Sequence, residues 1–296
     1  MKQRFAAVSA LGLGVLFAGP ALAFEPIAYK DVPSLVGKQV WVAANVGLDG
    51  DAWAYAGEPV TVVAAEPFGD QDKGPVYNFI QIKTAEGKSG EVQLRMLSKK
   101  ALKFNLRTPG TAPQLVIKVL DDAYELPQRM HQIRERYRYD LDSSKSADEY
   151  HQVDSMEEYF RFAKSLVHNL VYSSHRSKED LMREGQTKWL ALAKDDKLLD
   201  WYADGIKDKK VKAKLVGAKD CLDALDNVSS HGFDIARLEQ EKTEKSWRRG
   251  MEGVPENKIK KIEAEKVGEL NSEIKKKEKQ ITETFARAAK LKSKTR

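Results

Sequence analysis

The chain has 296 residues, of which 42% are hydrophobic and 32% charged, with 50 Lys/Arg against 44 Asp/Glu and a single cysteine. That length accommodates two modest domains and leaves much of the chain as solvated surface. One cysteine excludes an intrachain disulfide framework.

Residues 1–23 read as an export signal. Lys2 and Arg4 form a positive start, residues 5–18 are apolar and small, and Ala21-Leu22-Ala23 presents small residues where a signal peptidase reads. Cleavage is expected after Ala23, which makes the mature protein periplasmic or secreted. No later stretch approaches the roughly 20 apolar residues of a membrane span. Residues 24–255 carry 35 Lys/Arg against 37 Asp/Glu, and residues 256–296 carry 13 against 7. The basic excess therefore belongs to the signal and the tail. After export its counter-ions are cell-wall polymers, acidic proteins or anionic lipid, not nucleic acid.

After a Pro-bearing lead-in at 24–34 the pattern turns to β-structure. Strands are expected at 39–43, 59–65, 76–84 and 89–94, with 45–55 a Gly/Asp-rich loop carrying Trp53 and Tyr55. Short strands separated by regular turn signals predict a small barrel or sandwich. Gly57-Glu58-Pro59-Val60-Thr61-Val62, then Asn78-Phe79-Ile80-Gln81-Ile82, then Gly87-Lys88-Ser89-Gly90-Glu91-Val92 leading to Leu97, resembles a bacterial SH3-like domain over 35–97. Phe79 takes the place of the aromatic that opens the family's third strand, whereas Glu91 stands where the family commonly has tryptophan. The resemblance implies a binding or spacing module rather than a catalyst. Trp53, Tyr55, Tyr77 and Phe79 are the candidate ligand-binding residues, because barrels of this kind take extended ligands in aromatic-lined grooves.

From 112 the apolar period becomes helical, with Val116, Val119, Leu120, Ala123 and Tyr124 on one face. Pro127 marks a kink or an end. A turn is expected at 143–146. Ser155-Met156-Glu157-Glu158 reads as a capping box opening the next helix, and Ser177-Lys178-Glu179-Asp180 opens another. Ser230-His231-Gly232 reads as a stop between helices at 207–227 and 233–249. Residues 112–250 thus form a helical domain. Residues 256–296 form one long charged helix, with Val267, Leu270, Ile274, Ile281, Ala288 and Leu291 on a heptad seam that Lys277 and Thr284 interrupt. Such a seam pairs with a helix of the same body or of a second chain, as in a homo-oligomer, or lies on a surface. The fold class expected is α+β: an N-terminal SH3-like β-barrel over 24–105, an α-helical bundle and a long C-terminal helix.

No catalytic set, metal site or cofactor site emerges. Cys221 follows Asp220, as the nucleophile of papain-like envelope peptidases does, but the last histidine, His231, lies ten residues on with no strand to carry it. A buried helical cysteine is the expectation. His168 and His175 lack the converging ligands that zinc needs. Adjacent acids such as Glu157/Glu158 and Asp121/Asp122 diverge by about 100° on a helix and do not share a face. The arginines at 129, 134, 136 and 138 read as a solvated helix face. The reading is a non-enzymatic envelope protein whose SH3-like module binds a protein or cell-wall polymer. Its alternatives are a cell-wall hydrolase and a peripheral binder of anionic membrane through the basic C-terminal helix.

Overall fold

The computed structural model describes residues 24–68, 75–108, 112–137, 143–173, 208–248 and 251–295. Among the described residues, seven strands occupy the first part: β1 (Gln39–Val42), β2 (Val46–Gly47), β3 (Trp53–Ala54), β4 (Pro59–Ala65), β5 (Phe79–Thr84), β6 (Ser89–Gln93) and β7 (Leu97–Ser98). They are followed by α1 (Ala112–Ala123), α2 (Leu126–Tyr137), α3 (Ser143–Ser173), α4 (Lys209–Glu244) and α5 (Glu256–Thr295). The class is α+β.

The sheet is antiparallel and curled, in the order β6-β5-β4-β1-β7. Alternation makes it one-sided. Val60 and Val62 on β4 and Ile80, Ile82 and Thr84 on β5 point inward, while their neighbours are exposed. A bulge between Val62 and Ala64 shifts the β4–β5 register, and Val63 is turned out to solvent. Leu35, Val40, Val42, Val92, Leu94 and Leu97 complete this core. The region expected as a loop at 45–55 contains a short hairpin of its own, β2 with β3, pairing Val46 with Ala54. Its side chains are too few for the sequence pattern to have announced it. Gly57 lies at φ +85°, and a Cβ there would stand 2.0 Å from the Phe104 carbonyl oxygen, so only glycine lets the chain leaving the sheet cross at this point.

The helices break beside Pro127, where a kink or an end was expected, and depart from expectation in two other places, each for a local reason. Pro127 sits in the first turn of α2, where a missing N–H costs nothing, and the break falls before it at Tyr124 and Glu125. No turn or new start divides α3, which runs unbroken through 143–146 and Ser155. The Ser155 hydroxyl donates back to the His151 carbonyl at 2.8 Å instead of capping. α4 passes through Ser230-His231-Gly232 without stopping. Gly232 lies against α2, where a Cβ would come within 3.7 Å of His131 Nδ1, so tertiary packing overrides the weak local signal. The helix expected to open at Ser177 lies outside the described residues.

α4 and α5 form an antiparallel hairpin. Leu270, Ile274, Ile281 and Ala288 of the seam are buried and Val267 and Leu291 are half-buried. Ile235, Leu238, Leu270, Ile274 and Ile281 make one cluster. Lys277, the seam's interruption, reaches Asp234 of α4 at 2.6 Å. At the turn Glu263 pairs with both Lys245 and Arg248. The seam is therefore occupied within the chain, by α4.

Sheet and helices share a core. Phe24, Ala43, Ala56, Leu102 and Phe104 from the sheet side join Leu120, Met130, Tyr159, Phe160, Leu222 and Leu225 of the helices in one cluster. Phe24 is fully buried and stacks on Tyr159 of α3, with ring centroids 4.4 Å apart. Beneath that pair lies a buried carboxylate. Asp122 Oδ2 accepts from the Lys103 backbone N–H at 3.0 Å and the Tyr159 hydroxyl at 3.4 Å, with Lys103 Nζ 3.6 Å from Oδ1. No described residue belongs to a helix long and apolar enough to cross a membrane.

Candidate functional site

The open face of β5 and β6 meets the N-terminal half of α3 in a cleft of about 460 Å³, lined by Tyr29, Tyr77, Asn78, Phe79, Gln93, Arg95, Ala147, Tyr150, His151 and Asp154. The sheet contributes one wall, by alternation around Phe79 and Gln93, which are paired across β5 and β6. α3 contributes the other. Ala147, Tyr150, His151 and Asp154 recur at three- and four-residue spacing, so they lie on one face of the helix. The lead-in supplies Tyr29 at the start of a 3₁₀ turn over Tyr29–Leu35.

The floor is aromatic and fixed. The Tyr29 ring stacks on His151 at 4.5 Å and meets Tyr77 at 6.5 Å with a 52° tilt. Tyr77 is buried, and the Tyr29 backbone N–H donates to Asp148 at 2.7 Å. His151 Nε2 lies 3.2 Å from the Ile27 carbonyl oxygen. A carbonyl only accepts, so Nε2 carries the proton and Nδ1 is the ring's acceptor. Burial pushes the His151 pKa down to about 4, which keeps the ring neutral across the physiological range. The lip is exposed. Phe79 and Tyr150 face solvent from opposite walls, at 47% and 51% exposure. Polar groups complete the lining: Asn78, Gln93 accepting from Arg95 Nε at 2.8 Å, and Asp154, whose carboxyl burial and Glu157 raise against the pull of Arg95 and Arg134. Among the described residues the cleft thus offers an aromatic platform, planar amides, one guanidinium and one carboxylate. Among the described residues its lining has no serine, threonine, cysteine or lysine.

Of the four ligand-binding candidates, Tyr77 and Phe79 line this cleft and Trp53 and Tyr55 do not. Tyr55 is held elsewhere. Arg107 lies 5.0 Å over its ring, and Glu58 accepts from both the Tyr55 N–H and Arg107 Nε. Trp53 is exposed on the β2–β3 hairpin. Glu91 lies on the outward face of β6 beside Gln81. Tyr29, Arg95, Tyr150, His151 and Asp154 are lining residues that sequence reasoning missed. The α3 stripe at 147, 150, 151 and 154 was a usable signal, hidden by the expectation that the helix begins only at Ser155.

The chemical candidates resolve into structure. Cys221 is fully buried, donates to the Ala288 carbonyl at 3.3 Å, and burial pushes its thiol up to about 11. It is a packed thiol and not a nucleophile. His231 lies on the same helix ten residues away, about 15 Å along the axis. His168 pairs with Asp223 at 2.7 Å inside an ion network with Lys164 and Lys219. Arg134 is no solvated cation: it pairs with Glu157 at 3.2 Å and lies 4.0 Å over Phe233. No cluster of three or more metal-ligating side chains occurs among the described residues.

Comparison with known proteins found no matching family model, no matching curated protein and no matching solved structure.

Proposed function

We propose that this is an exported, non-enzymatic protein of the bacterial envelope, whose curled sheet is an SH3-like module that binds an extended ligand, either a cell-wall polymer or a segment of an envelope protein. The observation that carries the reading is the cleft between sheet and α3, with Phe79 and Tyr150 exposed on its two walls beside an aromatic floor. Exposed aromatics flanking fixed rings, with single groups of each charge and planar amides, suit recognition of a chain laid along a groove. Hydrolysis of a glycan needs two carboxyls roughly 5–10 Å apart across the cleft, and among the described residues this lining carries Asp154 alone. Export is argued from residues 1–23, and cleavage after Ala23 leaves the buried Phe24 as the first residue of the mature chain.

The test uses the mature chain with isolated peptidoglycan and, in parallel, a library of extended peptides. Wild type is expected to bind one of the two. Phe79→Ala and Tyr150→Ala are expected each to weaken that binding about tenfold with the melting temperature unchanged, since both rings are half exposed. Variants that bind as wild type does, or a wild type that binds neither ligand, would sink the reading. Recovery of the protein from the cytoplasm with residues 1–23 intact would remove the envelope assignment.

A further inference from the structure

The α4–α5 hairpin ends in a charged tip that the linear sequence divides between two segments 72 residues apart. Residues 209–214 hold Lys209, Lys210, Lys212 and Lys214, and residues 286–295 hold Arg287, Lys290, Lys292 and Lys294; neither segment contains an acid. The fold brings them together. Gly217 approaches Thr295, whose Oγ1 would lie 3.3 Å from a Cβ at that position, and Cys221 bonds to the Ala288 carbonyl. Val211 and Leu291 pack against the same core. Lys209, Lys210, Arg287, Lys290 and Lys294 are all exposed. Lys292 is turned inward, paired with Asp121 at 3.1 Å and lying 4.0 Å over the Tyr124 ring. Asp208, a carboxylate bordering the tip, is engaged as the N-cap of α4, accepting from the Lys210 N–H at 2.7 Å. The opposite end of the hairpin has a different character: Lys245 and Arg248 both pair with Glu263, and Lys242 pairs with Glu239.

We infer that this tip is an electrostatic docking surface for the anionic head groups of a phospholipid membrane. Seven of its eight cations are lysines, compact point charges on flexible stems that suit a fluid array of phosphates better than a fixed bidentate partner. The exposed cations lie together at one end of a helix pair, a charge cluster that suits a plane of head groups better than a single strand. Among its described residues the tip exposes no aromatic side chain for base stacking. Among the described residues the exposed large apolar side chain beside it, Val216, gives little to insert, so attachment is by charge and is reversible with salt. The choice of lipid over nucleic acid also rests on the export reading, while the cleft plays no part in it.

The test is co-sedimentation of the mature chain with vesicles of phosphatidylcholine containing phosphatidylglycerol, against vesicles of phosphatidylcholine alone. Binding to the anionic vesicles at about 50 mM salt and its loss at about 500 mM are expected. Each lysine near an anionic surface contributes about a fivefold factor. The variant Lys209→Gln/Lys210→Gln/Lys290→Gln/Lys294→Gln should therefore lose at least a hundredfold in partitioning. Lys258→Gln/Lys260→Gln/Lys261→Gln/Lys275→Gln removes the same charge from elsewhere on α5 and should lose less than tenfold. Equal losses in the two variants, wild-type binding indifferent to phosphatidylglycerol, or tight binding to soluble polyphosphate or duplex DNA without vesicle binding would each overturn the inference. Vesicle binding that survives in Phe79→Ala and Tyr150→Ala would separate this surface from the cleft.

Discussion

Two buried titratable groups hold the seam between sheet and helices, and they respond to acid in opposite senses. Asp122 is fully buried and its carboxyl is pushed up to about 6, by burial first, against the opposing pull of the Lys103 N–H and ammonium. A group whose folded pKa is raised contributes stability that is present below its unfolded value, near 3.8, and is lost as pH rises through about 6. His151 is depressed to about 4, so its contribution is present above 6.5 and is lost as pH falls through 4. The overall stability curve sums the two, and only a difference curve separates them. Asp122→Asn keeps the acceptor for the Lys103 N–H and cannot ionise. Between pH 4 and 6.5, wild type should lose on the order of 2–3 kcal/mol relative to this variant, with the variant equal or better at pH 7. Urea titrations of both proteins at half-unit pH steps would read this. A flat difference, or one of opposite slope, would show that Asp122 titrates normally.

Among the elements, the strands were the most legible. β4 was expected at its observed bounds because Val60-Thr61-Val62-Val63 is continuous in β-branched residues between turn signals. The helices were legible as helices but not in their joints. Ser155 and Ser230-His231-Gly232 carry local chemistry that suits a start and a stop, yet both lie inside long helices because neighbouring helices hold them there. That error hid the candidate site, since Tyr150 and Asp154 fell in a stretch not read as helical. Tyr77 and Phe79 were visible because they alternate with Asn78 at the start of the third expected strand, whereas Tyr29 joins them through contacts with Tyr77 and His151 that span 48 and 122 residues. Gly232 offers a direct check on the joint. A Cβ there would meet His131 Nδ1 at 3.7 Å, an ordinary contact, and the helix would gain a better former. Gly232→Ala should stabilise the protein by about 0.5–1 kcal/mol in chemical denaturation. A helix break at this position would instead make the substitution neutral or harmful.

At the scale of the whole molecule, the question is whether sheet and helices are two bodies or one. The sheet has an apolar core of its own, and so does the distal half of the α4–α5 hairpin. Between them lies the cluster to which both contribute, with Phe24 at its sheet-side centre. Removing the helices would uncover Phe24, Ala43, Ala56 and Phe104 together, and removing the sheet would uncover Tyr159 and the Asp122 carboxylate. Neither half keeps a satisfied interior alone, so unfolding should be a single cooperative event. In a variant retaining Trp41 of β1 as its sole tryptophan, fluorescence should report the sheet, while ellipticity at 222 nm reports the helices. The two midpoints in urea should coincide. Phe24→Ala deletes a fully buried ring stacked on Tyr159 and should cost about 3–5 kcal/mol. It should move both midpoints down together. A fluorescence midpoint that falls while the ellipticity midpoint stays in place would mean that the shared cluster does not couple the halves. The cleft between them would then be a hinge between two bodies, and its fixed aromatic floor could not be credited to the fold.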